Sequence, residues 1–216
     1  HVSEYSEYEA AGLTVMAVHN HYPKAAVMTG LPDESFIRAD IPMTKREIRA
    51  SVVSRLSPAK DAIVYDIGAG TGSVSVELAM HALYGTVYAV ERAKEGCELI
   101  AQNARKFGLD NIDIINASAA DVIEKLPAAD SVFIGGSGGE LEKIMDIVLK
   151  KNPGVHIVIT AVTLETLNDS VRLMEDKKVD VIDIVQIAVT QIKKRGRYHM
   201  LAANNPVFII EGRGNR

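Results

Sequence analysis

From Thr44 onward the chain alternates short apolar runs with longer segments whose apolar residues recur at helical spacing. Ile48, Val52, Val53 and Leu56 share one helical stripe that stops before Pro58. Thr44-Lys45-Arg46-Glu47 has the form of a capping box and predicts that this helix opens at Thr44. Strands are then predicted at Ala62–Asp66, Thr86–Val90, Ile112–Ile115, Ser131–Ile134 and Val155–Thr160. The helices expected between and after them are Ser73–Leu83, Ala93–Phe107, Ala119–Lys125, Glu140–Lys151 and Leu164–Lys177. Gly108 stands where a helix-ending glycine belongs. The runs are almost wholly apolar and rich in β-branched residues, as parallel strands buried on both faces require. After the last helix, Val181–Val189 and Val207–Glu211 predict two consecutive strands joined by a basic segment with no room for a helix. Five βα units followed by a hairpin predict a doubly wound α/β fold with a seven-stranded, mostly parallel sheet, whose ligands lie at the carboxyl ends of the strands.

The first forty residues read differently. Leu13–Val18 predicts a short strand, and Pro23, Gly30, Pro32 and Pro42 then oppose helix and suggest an extended linker. The division expected is an N-terminal extension over 1–40 and a catalytic domain over 41–216. Composition narrows the classes. The chain has 216 residues, 47% hydrophobic and 24% charged, the profile of an ordinary globular protein. Lys+Arg 24 against Asp+Glu 28 gives a net charge of -4, which argues against a nucleic-acid-coating surface. One cysteine, Cys97, allows no internal disulfide and fits a cytoplasmic protein. No apolar run approaches a membrane span, and the histidines lack metal-ligand spacing, so neither a membrane nor a metal is expected.

The strongest chemical signal is Asp66-Ile67-Gly68-Ala69-Gly70-Thr71-Gly72, directly after the first strand. Alternate glycines let a backbone turn tightly and approach a ligand. A dinucleotide site wants its third glycine one place later, where this chain has Ser73. Asp66 just before the glycines suits a ligand with positive charge, and S-adenosylmethionine carries an amino group and a sulfonium. The plainer alternative is a tight βα connection. Glu91 directly follows the second strand and can accept both hydroxyls of a ribose; its alternative is an N-cap or a partner for the next helix N-terminus. Asn116-Ala117-Ser118-Ala119 could leave a flat slot for an adenine ring, or be an ordinary small-residue loop. Gly135-Gly136-Ser137-Gly138-Gly139 is open enough for a bulky substrate or a mobile lid. Lys193, Lys194, Arg195 and Arg197 form a basic cluster, which is either a solvated turn or a site suited to a polycarboxylate.

Pro42–Arg49, Asp66–Gly72, Gly135–Glu140 and Asn204-Asn205-Pro206-Val207 together resemble the CbiT-type family, the decarboxylating precorrin-6Y methyltransferases of cobalamin biosynthesis. The resemblance runs from about Gly30 to Gly212. It implies a class I S-adenosylmethionine-dependent methyltransferase that methylates carbon 15 of a precorrin, with loss of carbon dioxide from the ring-C acetate. The cofactor contacts it implies are Thr44, Gly68, Ala69, Gly70, Thr71, Gly72, Glu91 and Ala119, beside Asp66 from the loop chemistry. Gly136, Ser137, Gly138, Lys194 and Arg197 are the substrate candidates, and no residue is assigned as catalytic. Many relatives carry an acid where Ser118 stands. The stretch from Leu13 to Phe36 resembles a junction to an upstream tetrapyrrole methyltransferase domain, and the family suggests a homotetramer.

Other readings share the cofactor loops. An amino-directed nucleic-acid methyltransferase would place Asn/Asp-Pro-Pro-Tyr where this chain has Ile134-Gly135-Gly136-Ser137, and four phenylalanines with no tryptophan make a poor RNA platform. A protein methyltransferase, or a non-catalytic module binding cofactor or tetrapyrrole, differs in turnover and not in these motifs. A nicotinamide dehydrogenase is disfavoured by Ser73.

Overall fold

The structure, a computed structural model, describes residues 29–215; the strand expected at Leu13–Val18 lies outside them. In chain order the elements are α1 (Arg46–Leu56), β1 (Ile63–Ile67), α2 (Ser73–His81), β2 (Thr86–Glu91), α3 (Lys94–Lys106) and β3 (Ile112–Asn116). There follow α4 (Ala119–Val122, continuing as a 3-10 turn over Ile123–Lys125), β4 (Ser131–Ile134), α5 (Leu141–Lys151), β5 (His156–Ala161) and α6 (Leu164–Asp176). The chain ends with β6 (Asp180–Ile187), β7 (Thr190–Arg195), β8 (Tyr198–Ala203) and β9 (Val207–Arg213). Gly108, at φ +63°, ends α3 as its position predicts.

Seven strands form one sheet in the order β3-β2-β1-β4-β5-β9-β6, with β9 antiparallel to both neighbours. Alternate residues of β1 face opposite layers, as the period of a strand requires. Val64 packs with Val52, Val53 and Leu78 of α1 and α2, while Tyr65 and Ile67 pack with Ile123, Ile144 and Met145 on the other face. The order reverses between β1 and β4, which opens a crevice at their carboxyl ends.

Two local expectations are corrected. The basic segment expected only to join the last two strands is itself paired: β7 and β8 form their own two-stranded sheet, with Lys194 opposite His199 and a two-residue turn at Gly196-Arg197. Gly196 takes φ +59°, which a tight hairpin turn favours. The capping box also fails. Helix α1 is capped by Lys45 with no side-chain bond, so Glu47 falls one place short of the reciprocal position and Thr44 has no capping role.

The described part of the stretch expected as a linker is fastened down. Arg49 and Glu77 form a fully buried ion pair at 2.6 Å. Glu77 accepts from the backbone of Gly30 and Leu31, and Arg49 donates to the carbonyls of Leu31 and Thr44 and to Asp33. Phe36 lies buried against Phe107, under the Arg49 guanidinium. Every guanidinium nitrogen thus has a partner, which a charge at zero exposure demands. At the far edge, Arg55 of α1 bridges Glu211 of β9 and Asp183 of β6. Among the described residues no helix is long and apolar enough to cross a membrane.

Candidate active site

The β1–α2 loop meets the β4–α5 loop at the crevice. A Cβ on Gly68 would stand 2.5 Å from the carbonyl oxygen of Gly136, and φ there is +74°, so only glycine fits. Gly135 and Gly136 both donate backbone bonds to Ile67, which locks the two loops edge to edge. Gly70, at φ +55°, leaves the wall open beneath the carbonyl of Pro42. Gly72 has a different job: it caps α2 in a left-handed conformation, and a Cβ there would press on Ile100 of α3 at 2.9 Å.

Glu91, the last residue of β2, points its carboxylate along the loop. Oε2 accepts from the Gly70 N–H at 2.9 Å and Oε1 from the Ala93 N–H at 2.8 Å. Both expected roles, helix partner and hydroxyl acceptor, are compatible, because each carboxylate oxygen has a second lone pair. Gly96 on the first turn of α3 makes room for it; a Cβ at that position would meet Glu91 Cγ at 2.7 Å. The spacing alone gives no reason to single out Gly96, since its constraint is a contact with a residue five places earlier.

These elements enclose a cleft of about 350 Å³. Gly68, Gly70 and Glu91 form one wall, Ala117, Ser118 and Ala119 a second, and Gly136, Ser137 and Gly138 a third. Ile41, Pro42 and Arg92 also line it, and the sequence offers none of the three as a cofactor or substrate contact. Pro42 arrives because Asn103 of α3 binds both the N–H and the carbonyl of Ile37 and also the carbonyl of Thr71, tying the N-terminal strap to the glycine loop. Arg92 lies across Gly138: a Cβ there would fall 2.6 Å from the guanidinium carbon. Ser118 donates to the Glu140 carboxylate, so the slot after β3 is pinned to the start of α5.

Several expected residues stand elsewhere. Asp66 is wholly buried beneath the loop and does not line the cleft. Its Oδ2 accepts from Ser75 while Oδ1 has no partner, and burial pushes the carboxyl up to about 7 against the pull of the Ser75 bond, with the Glu91 charge adding to the rise. Thr71, also buried, and Ala69 and Gly72 support the loop from behind, and Thr44 is likewise outside the lining. Lys194 and Arg197 lie on the exposed β7–β8 hairpin, away from the cleft walls; Arg197 donates to the Tyr198 hydroxyl at 2.8 Å. No group of residues that could hold a metal occurs among the described residues.

The cleft lies where the sheet order reverses, at the carboxyl ends of β1 and β4, and a family model for a precorrin methyltransferase domain matches residues 35–212. The chain belongs to the precorrin methyltransferase family. It is 40% identical over 184 residues to a probable cobalt-precorrin-6B C(15)-methyltransferase (decarboxylating) of Pyrobaculum calidifontis, covering 84% of this chain and 94% of the relative. The corresponding Salmonella typhimurium protein, named cobalt-precorrin-6B C(15)-methyltransferase (decarboxylating), is 35% identical, with 83% and 94% covered. A crystal structure of precorrin-6y C5,15-methyltransferase from Geobacter metallireducens superposes with a TM-score of 0.80 at 37% identity, over 85% of this chain and 96% of that one. The fold is that of the class I methyltransferases, and membership implies S-adenosylmethionine as the methyl donor. The cleft suits that donor on its own evidence. Bare backbone at Gly68 and Gly70 gives close approach, and Glu91 offers free lone pairs.

Proposed function

We propose that this precorrin methyltransferase methylates carbon 15 of a precorrin or cobalt-precorrin ring and removes carbon dioxide from the ring-C acetate, in cobalamin biosynthesis. The supporting observation is the meeting of the Gly68–Gly70 and Glu91 cradle with the Gly135–Gly139 loop at one crevice, within a chain of this family. When bound, S-adenosylmethionine supplies an electrophilic methyl group. Gly68 and Gly70 would let it lie against the backbone, Glu91 would accept its ribose hydroxyls, and Ala117–Ala119 would bracket its adenine, with Ala119 contributing a backbone N–H. Thr44, Ala69, Thr71 and Gly72 would hold the loop in shape, with Asp66 bonded to Ser75 beneath it. An electron-rich ring carbon needs no strong base to accept a methyl group, so alignment and exclusion of water are the protein's contribution.

Gly136, Ser137 and Gly138 would meet the ring edge, and Lys194 and Arg197 would pair with carboxylate arms that reach the hairpin. A homotetramer is the assembly we propose; exposed Ile182, Ile184, Ile192 and Leu201 on β6 and the hairpin are apolar surface in search of cover. The free Cys97 supports a reducing, cytoplasmic setting, and the residues ahead of Gly30 would lead to an upstream tetrapyrrole methyltransferase domain. The test is carbon-13 NMR of the product made from methyl-labelled S-adenosylmethionine and precorrin-6B, with and without cobalt. The label is expected on carbon 15; a label at any other ring position, or none, rejects the reading.

A further inference from the structure

The glycine loop has two sides. Gly136, Ser137 and Gly138 line the cleft already described, and the same three residues line a second cavity of about 280 Å³ toward β5. Beside Gly135 and Gly139 of the same loop, its walls are Ile134 and Leu141 from the β4–α5 side, with Ile159, Thr160, Val162 and Thr166 from the β5–α6 side. Ile134 and Ile159 form a buried floor at 2% and 1% exposure, while Val162 stands at the rim, 66% exposed. The lining consists of apolar side chains, glycine backbone and hydroxyls. No Lys, Arg or His is among the lining residues, whereas the cleft on the other side has Arg92.

We infer that this cavity is where the acetate arm is held and loses carbon dioxide, an inference that rests on the decarboxylating reaction proposed above. A carboxylate taken out of water without a cation is raised in free energy, whereas neutral carbon dioxide is not. An apolar cavity with only hydroxyls therefore favours cleavage, and a cation in the same place would stabilise the starting carboxylate and oppose it. In the step itself the bond between the acetate methylene and its carboxylate carbon breaks. The electron pair of that bond passes into the conjugated ring, carbon dioxide leaves, and a proton from water then converts the methylene to a methyl group. The hydroxyls of Ser137, Thr160 and Thr166 are the groups placed to orient the carboxylate without neutralising it. The shared loop holds one ring edge against both chambers, so that methyl transfer and carbon dioxide loss occur on opposite sides of Gly136–Gly138. Carboxylate arms that survive the reaction would meet cations, and the arm that is lost meets none.

Val162→Lys tests this, because an exposed rim position tolerates the change and brings an ammonium to the cavity mouth. Val162→Met supplies bulk without charge. Each protein is incubated with precorrin-6B and labelled S-adenosylmethionine, and the methylated products are separated by mass into those that retain and those that have lost carbon dioxide. Val162→Lys is expected to lower the decarboxylated share by about tenfold or more, with Val162→Met close to wild type. An unchanged share in Val162→Lys overturns the inference, and so does an equal fall in both variants, which would assign the effect to bulk. Wild-type protein that yields neither product rejects the proposed function itself and this inference with it.

Discussion

Around β1 and β4 the sheet is covered by helices on both faces, and the loops that reach the crevice are tied by backbone hydrogen bonds. Gly68, Ala69, Gly135 and Gly136 all donate to carbonyls of neighbouring strand ends. Around β6 and the β7–β8 hairpin the strands stand in solvent, and every residue of β7 is exposed. The first region holds its shape through backbone and packing, so its chemistry depends on the absence of side chains at glycines. The second offers side chains, four of them cationic, on a support that a two-stranded sheet makes only marginally stable by itself. A small donor common to many methyltransferases suits the rigid region, and a large multiply charged ring suits the exposed one.

The heaviest blow to the rigid region comes from its strap. Arg49→Met leaves Glu77 without its cation at zero exposure and frees the carbonyls of Leu31 and Thr44. A loss of about 3–5 kcal/mol is expected in urea unfolding, because a broken buried pair leaves an uncompensated charge. Next is Gly68→Ala, which forces a left-handed alanine against the Gly136 carbonyl. Strain of roughly 1–3 kcal/mol should part the two loops and weaken S-adenosylmethionine binding, measured by calorimetry, by about tenfold or more.

Asp66 gives a subtler signature of the same region. Its carboxyl, pushed up to about 7 by burial, keeps a proton in the fold that the unfolded chain releases near its ordinary value of about 3.9. The folded state binds more protons in that interval, so stability should fall as pH rises from about 4 to about 7 and level off above. Asp66→Asn should flatten the slope, read from unfolding titrations across the interval. In the exposed region the expected effect on stability is smallest. Lys194→Glu with Arg197→Glu should shift stability by no more than about 0.5 kcal/mol and leave the dissociation constant for S-adenosylmethionine unchanged. The KM for the tetrapyrrole should rise about tenfold. A weaker donor affinity in this pair would erase the contrast between the two regions.

The same contrast explains what could be read from the residues alone. Buried parallel strands leave compact β-branched runs, and Asp66–Gly72 stands directly after one of them, so the alternation and the glycine loop at the crevice were legible. The hairpin was not, because Lys193-Lys194-Arg195 is depleted in strand formers and resembles a solvated turn. Insertion of β9 between β5 and β6 was equally hidden, since it is fixed by long-range pairing such as Ile159 with Ile210. Pro42 looked like linker punctuation until Asn103 tied Ile37 to the loop, and the Ser118–Glu140 bond joins elements whose proximity only the sheet order creates.

The measurement that tests the account most directly counts both chemical events on one substrate. Purified protein is given precorrin-6B and methyl-labelled S-adenosylmethionine, and label transferred is compared with carbon dioxide released from the same sample. One methyl group gained for each carbon dioxide lost is the expected result. Methyl transfer with no carbon dioxide release would contradict it, leaving a precorrin methyltransferase whose second cavity serves some other end.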